Sequence, residues 1–135
     1  MLNFPANGHY SDKFPNGKTM CELNFVNTKM HGEQLIFHSD GILRYRIYCE
    51  YGKKHGLCES FHPNGKYDYI HNYLNSKQEG KQQEFNKNGD LVYEYNYLNH
   101  KLFGPQIEYD SSGSGLIRSY IEYDSNAKII KNNKI

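Results

Sequence analysis

Apolar and polar residues alternate with a period of two along most of the chain. Leu43, Tyr45, Ile47 and Cys49 take every second position of one stretch, and Tyr67, Tyr69, His71 and Tyr73 do so in another. Leu91, Tyr93, Tyr95 and Tyr97 form a third such set. This period places each set on one face of a β-strand. Turn-forming segments precede these sets at His38-Ser39-Asp40-Gly41, His62-Pro63-Asn64-Gly65 and Asn86-Lys87-Asn88-Gly89. Asn-Gly and Asp-Gly supply the positive φ that tight hairpin turns need. A second kind of turn, at Tyr51-Gly52-Lys53-Lys54, Asn75-Ser76-Lys77 and Asn99-His100-Lys101, leads from each hairpin to the next.

These elements repeat. Gly8, Gly32, Gly56, Gly80 and Gly104 stand 24 residues apart, and so do Gly17, Gly41, Gly65, Gly89 and Gly113. An aromatic series, Phe37, Phe61, Phe85 and Tyr109, is locked to both. The opening unit reads as slipped by one residue, with Phe14 where Lys13 is expected. In the last unit, two extra residues (Ser114-Gly115) put Ile117, Ser119, Ile121 and Tyr123 in register with Leu43, Tyr45, Ile47 and Cys49. Asp124 to Lys128 then stands for the second turn, and residues 129–135 form a closing strand or tail.

The pattern predicts an all-β fold, with residues 1–135 as a single repeat domain whose units start near Gly8, Gly32, Gly56, Gly80 and Gly104. About ten short antiparallel strands form one elongated, twisted meander sheet, each hairpin touching only its neighbours. Phe37, Phe61, Phe85 and Tyr109, together with Tyr45, Tyr69 and Tyr93, are expected to build aromatic ladders on one face. The opposite face is expected to carry Arg44, Arg46 and Tyr48, then Asp68 and Ile70, then Val92 and Glu94. Arg and Tyr are enriched at binding hot spots, so Arg44, Arg46, Tyr48, Asp68 and Ile70 are the candidate binding residues.

Gly-x4-aromatic-x2-Asn-Gly-x-(Leu/Tyr), repeated with a Tyr-rich second strand from about Gly8 to Lys128, resembles the MORN repeat. It resembles more closely the bacterial YwqK-type variant that carries an antitoxin label. The resemblance implies an interaction module or scaffold, in some cases one that meets membrane lipids. It implies no catalytic residue.

Composition narrows the function classes. The chain is 37% hydrophobic but 15% aromatic, with 13 Tyr and 7 Phe, which suits a thin fold whose phenol hydroxyls stay wet. Its formal charge is +1, and the charges are interspersed. The one-sign field that nucleic acid or an anionic membrane surface would select is missing. No signal peptide or membrane-spanning run is legible, and three cysteines make an odd count, so a soluble, cytoplasmic protein is expected.

The tempting chemistry has simpler readings. Cys21 and Cys49 fall in columns held by Tyr or Phe elsewhere and read as small buried hydrophobes, whereas Cys58 reads as exposed on the opposite face. His31, His38, His55 and His62 recur at repeat positions and make no metal-ligand spacing. Glu84 and Glu108 occupy a position that Ile36 and Ser60 hold in other units, which suits a sheet surface better than a general acid. No cofactor or metal motif is found. The expected function is a non-catalytic protein–protein interaction module, of the antitoxin or immunity type, whose partner is another protein. The alternatives are a scaffold that self-associates through its sheet as a homodimer and a peripheral lipid-binding module.

Overall fold

The structure is a computed structural model, and it describes residues 3–134. The strands are β1 (Gly8–Lys13), β2 (Thr19–Val26), β3 (Lys29–Met30), β4 (Gly32–Phe37), β5 (Leu43–Glu50), β6 (Lys53–Phe61) and β7 (Tyr67–Leu74). They continue with β8 (Lys77–Gln78), β9 (Gly80–Phe85), β10 (Leu91–Leu98), β11 (Lys101–Leu102), β12 (Gly104–Tyr109), β13 (Ile117–Tyr123) and β14 (Ile129–Lys134). All join one antiparallel sheet in the order β1-β2-β4-β5-β6-β7-β9-β10-β12-β13-β14. The two-residue strands β3, β8 and β11 pair with β2, β7 and β10 and lead directly into β4, β9 and β12. The fold is an all-β hairpin meander, as the repeat predicts.

Each junction between hairpins splays open, and the first glycine series explains how. Leu35 pairs with Glu22 and Met30 with Phe25, so the later strand carries two more residues than the earlier one. The same surplus separates the Cys58–Ile47 pair from the Lys54–Cys49 pair. Gly32, Gly56, Gly80 and Gly104 sit inside these irregular stretches with φ between 70° and 91°. An L side chain rarely adopts that conformation.

The two turn types differ in chemistry. In the first kind only the glycine has positive φ; Gly41 N–H donates to His38 and His38 N–H to Ile42 across the loop. The preceding Asn or Asp therefore acts through its side chain and not through a left-handed backbone. Asn64 Oδ1 accepts from Lys66 N–H, and its amide donates to Lys87 of the next turn. In the second kind both central residues are left-handed, as at Asn75 and Ser76 (φ 50° and 68°) and at Asn99 and His100 (φ 51° and 65°). These are the dihedrals of hairpin turns whose twist matches the strands. The segment Asp124–Lys128 occupies the place of a second turn but has the hydrogen bonds of the first, with Ala127 at φ 58° where glycine stands elsewhere.

A β-bulge recurs in each hairpin. Ile36 opposes Tyr45 and Phe37 opposes Leu43, which leaves Arg44 as the extra residue. Met20, Asp68, Val92, Arg118 and Ile130 are the extra residues of the other hairpins. The opening unit obeys the same rule: Lys13 opposes Thr19, and Phe14 begins the turn as His38 does. There is no slip. The aromatic column simply starts with a lysine.

The bulge divides the expected ladder between the two faces. Tyr45, Tyr69 and Tyr93 oppose Ile36, Ser60 and Glu84, and directly opposed residues share a face. Phe61 follows Ser60 and points the other way. Its ring stacks on Tyr67 at 4.8 Å, Tyr67 lies 5.9 Å from Phe85, and the Tyr67 hydroxyl donates to Glu59. Phe37, Phe61, Phe85 and Tyr109 are thus a separate column from Tyr45, Tyr69 and Tyr93. Of the eight buried residues among those described, seven (Leu23, Phe25, Gln34, Cys58, Ser60, His71 and Gln82) lie on the Tyr45 face. That face is called the inner face here, and the other the outer face.

Candidate functional site

Three glutamines close the splayed junctions. Gln34 Oε1 accepts from the Asn24 backbone N–H, and its amide donates back to the Asn24 carbonyl. Gln82 does the same with Asn72, and Gln106 with Asn96. The asparagine side chain returns the contact by donating to the backbone carbonyl of Glu33, Lys81 or Pro105. Each glutamine thus supplies the acceptor that the asparagine N–H lacks in the splay, while the asparagine carbonyl also accepts from a backbone N–H of His31, Glu79 or Phe103. An unpaired buried peptide group would otherwise cost about 1–3 kcal/mol.

The β5–β6 junction lacks this clasp. Cys58 stands where Gln34 and Gln82 stand in their units, and Tyr48 stands where Asn24 and Asn72 do. Tyr48 is thereby released to the outer face, where its hydroxyl donates to Glu33 at 2.9 Å. Arg46 reaches both Glu33 (3.8 Å) and Glu59 (3.4 Å), and Glu59 also accepts from Tyr67 at 2.8 Å. Tyr48, Glu33, Arg46, Glu59 and Tyr67 form one network across β4 to β7. Both phenols are held above their ordinary pKa, first because each donates to a carboxylate. Glu59 is the one buried carboxylate among the described residues. Exposed apolar surface flanks it at Tyr48 (37%), Leu57 (41%) and Tyr67 (37%).

The network corrects the expected binding face in two places. Arg44 and Asp68 are bulge residues and leave that face. The Arg44 guanidinium lies 5.1 Å from the Tyr45 ring, and Asp68 accepts from Ser60 Oγ. Arg46, Tyr48 and Ile70 remain on the outer face, with Ile70 opposite Glu59. Two arginines two apart in sequence therefore do not project together, and Arg46 has its charge answered by carboxylates.

The inner face is also rearranged relative to expectation. Cys58 is 1% exposed there, whereas Cys21 and Cys49 are only half-buried. Burial pushes all three thiols up, away from the thiolate that nucleophilic chemistry needs. Glu84 is not simple surface. It accepts from Tyr95, whose phenol is pushed up to about 12 chiefly by burial, and it lies 3.6 Å from His71 Nε2. His38 and His62 approach the backbone carbonyls of Phe61 and Phe85, which ties successive hairpins together. Among the described residues no group of three His, Cys, Asp or Glu side chains is placed to share a metal ion. Nor is any helix long and apolar enough to cross a membrane.

The repeating unit is thus a 24-residue hairpin with a glycine in each splay and in its first kind of turn. Residues 54–75 and 78–99 match the MORN repeat variant. The matched segments carry Tyr67, Tyr69, Gln82 and Glu84, so the Asn72–Gln82 clasp falls within them. No curated protein sequence matches the chain. Among solved structures the chain is similar to an S. aureus TarM mutant in complex with fondaparinux, α-GlcNAc-glycerol and UDP, at 13% identity and a TM-score of 0.44. The match covers 93% of this chain and 21% of that one, so the chain spans about a fifth of that protein's length. A likeness of this degree carries no argument about activity.

Proposed function

We propose that the array is a non-catalytic protein-binding module that docks its partner on the outer face around Arg46. The observation that carries this reading is the Tyr48–Glu33–Arg46–Glu59–Tyr67 network. It holds a guanidinium and two phenols in fixed positions beside the exposed side chain of Leu57. Fixing these groups before association lowers the conformational cost of binding. Tyr and Arg are also the side chains that most often dominate interface energetics. The finer reading, a module that occludes its partner as an antitoxin or immunity protein does, rests on the YwqK-type resemblance of the repeats.

Affinity capture from the native host with the intact chain and with an Arg46→Ala/Tyr48→Ala variant tests the proposal. A partner should be retained by the intact chain and by a His9→Ala control, and lost from the double variant. Retention of every captured protein by the double variant, with its fold verified by circular dichroism, would contradict it. Co-expression tests the finer reading. A captured protein that arrests growth alone, and not alongside this chain, fits an antitoxin; a captured protein without such an effect leaves only the broader module.

A further inference from the structure

The inner face holds a groove of about 490 Å³ that runs across the strands from Leu23 on β2 to Tyr73 on β7. Met30, Ile36 and Ile47 give it an apolar floor, and Lys54 stands in its wall. Pockets for small molecules fall in the range of about 300–1,000 Å³ and combine an apolar lining with a few polar groups that fix orientation.

Lys54 is out of place by the logic of the repeat. Its column, opposite Phe25, Cys49, Tyr73 and Tyr97, holds Met30, Gln78 and Leu102 in the other units. The cationic column is the preceding one, where Lys29, Lys53, Lys77 and Lys101 point outward and are exposed. Lys54 thus places an ammonium in a column that is otherwise uncharged. It is only partly exposed, its Nζ lies 5.0 Å from the centre of the Tyr73 ring, and it takes part in no ion pair among the described residues.

Of the other polar groups of the groove, Tyr73 and Ser76 bring only neutral hydroxyls. The Gln34 amide is consumed by the Asn24 clasp. Cys49, directly opposite Lys54, is held as a neutral thiol by burial and supplies no counter-charge. What is left is an apolar channel with one uncompensated cation.

We propose that this groove binds a small amphiphilic monocarboxylate, its aliphatic body over Leu23, Ile36 and Ile47 and its carboxylate on the Lys54 ammonium. The site lies on the face opposite the Arg46 network and stands or falls independently of the protein-binding reading. One charged donor in an apolar channel selects a ligand with one anionic head. A dianion would leave a charge unanswered, and a short carboxylate would leave the apolar floor wet.

Calorimetric titration with decanoate, decanol and acetate, each below any micelle concentration, tests the proposal on the full chain. Decanoate should bind saturably and about tenfold or more tighter than decanol, the ratio expected of a charge-assisted hydrogen bond. Acetate should show no binding. Lys54→Met places in the column the side chain that Met30 already has there. It should abolish the preference for decanoate over decanol while decanol binding and the melting temperature persist. Absence of saturable decanoate binding, or an unchanged preference in Lys54→Met, would overturn the assignment. So would Lys54-dependent binding of an acetylated Leu-Leu-Glu peptide without decanoate binding, which would give the groove to a protein segment instead.

Discussion

Gln82 and Asn72 lie ten residues apart in sequence and exchange two hydrogen bonds through the glutamine amide and the asparagine backbone, at 2.8 and 2.9 Å. Gln82 has no exposed surface at all. The most buried polar side chain of the array is therefore a surrogate for a missing stretch of sheet ladder.

Gln82→Ala should destabilise the protein by about 1–3 kcal/mol, since it leaves the Asn72 N–H unpaired in the splay, while the Asn72 carbonyl keeps the Glu79 N–H. Chemical denaturation measures the loss, and amide exchange at Asn72 should accelerate. Gln83→Ala, one position along and on the outer face, serves as the control and should cost less than about 1 kcal/mol. Equal losses would mean that the clasp contributes nothing beyond ordinary strand propensity.

Ala127 offers a test in the opposite direction. It is held at φ 58° in a turn whose equivalents use glycine, and the left-handed conformation costs an L residue about 1–2 kcal/mol. Ala127→Gly should raise stability by about 0.5–1 kcal/mol, less than the full strain because glycine also gains freedom in the unfolded chain. A lower melting temperature in the variant would show that the turn is formed differently.

His71 predicts acid sensitivity. Burial against Tyr69 lowers its pKa below the ordinary value, and the opposing pull of Glu84 does not overcome that. The unfolded chain therefore binds the proton more readily than the folded one. The contribution of a neutral His71 is fully present above the unfolded pKa of about 6.5 and is lost as pH falls through the folded value. The melting temperature should drop between pH 7.5 and pH 5, and His71→Phe should reduce that drop. An identical pH profile in the variant would place the sensitivity elsewhere.

Much of the fold was legible because glycine is a stringent marker. Two glycine series locate the turns and the junction splays, since both need positive φ. The bulges were not legible, because Arg44, Asp68 and Val92 continue the chain's alternation without interruption. Only pairing with the neighbouring strand shows that one residue is surplus, and that surplus moved Arg44 and Asp68 off the face where alternation put them. The clasp did leave a signal in the recurrence of Asn24, Asn72 and Asn96 ten residues before Gln34, Gln82 and Gln106. Its breach at Tyr48 and Cys58 marks the same junction as the Arg46 network. Cys58 was misplaced for the same reason: it does face away from Phe61, but the bulge puts Phe61, and not Cys58, on the face opposite Tyr45.

The affinity of the captured partner for single outer-face and inner-face variants tests the central claim most directly. Tyr48→Ala and Tyr67→Ala should each weaken binding by about tenfold or more, the behaviour of interface hot spots, with the fold intact. Ile47→Val and Lys54→Met, on the inner face, should leave the partner's affinity within about twofold of the unaltered chain, as expected for residues outside an interface. Unchanged affinity in both tyrosine variants, with a loss in the inner-face pair, would contradict the account and move partner binding to the groove.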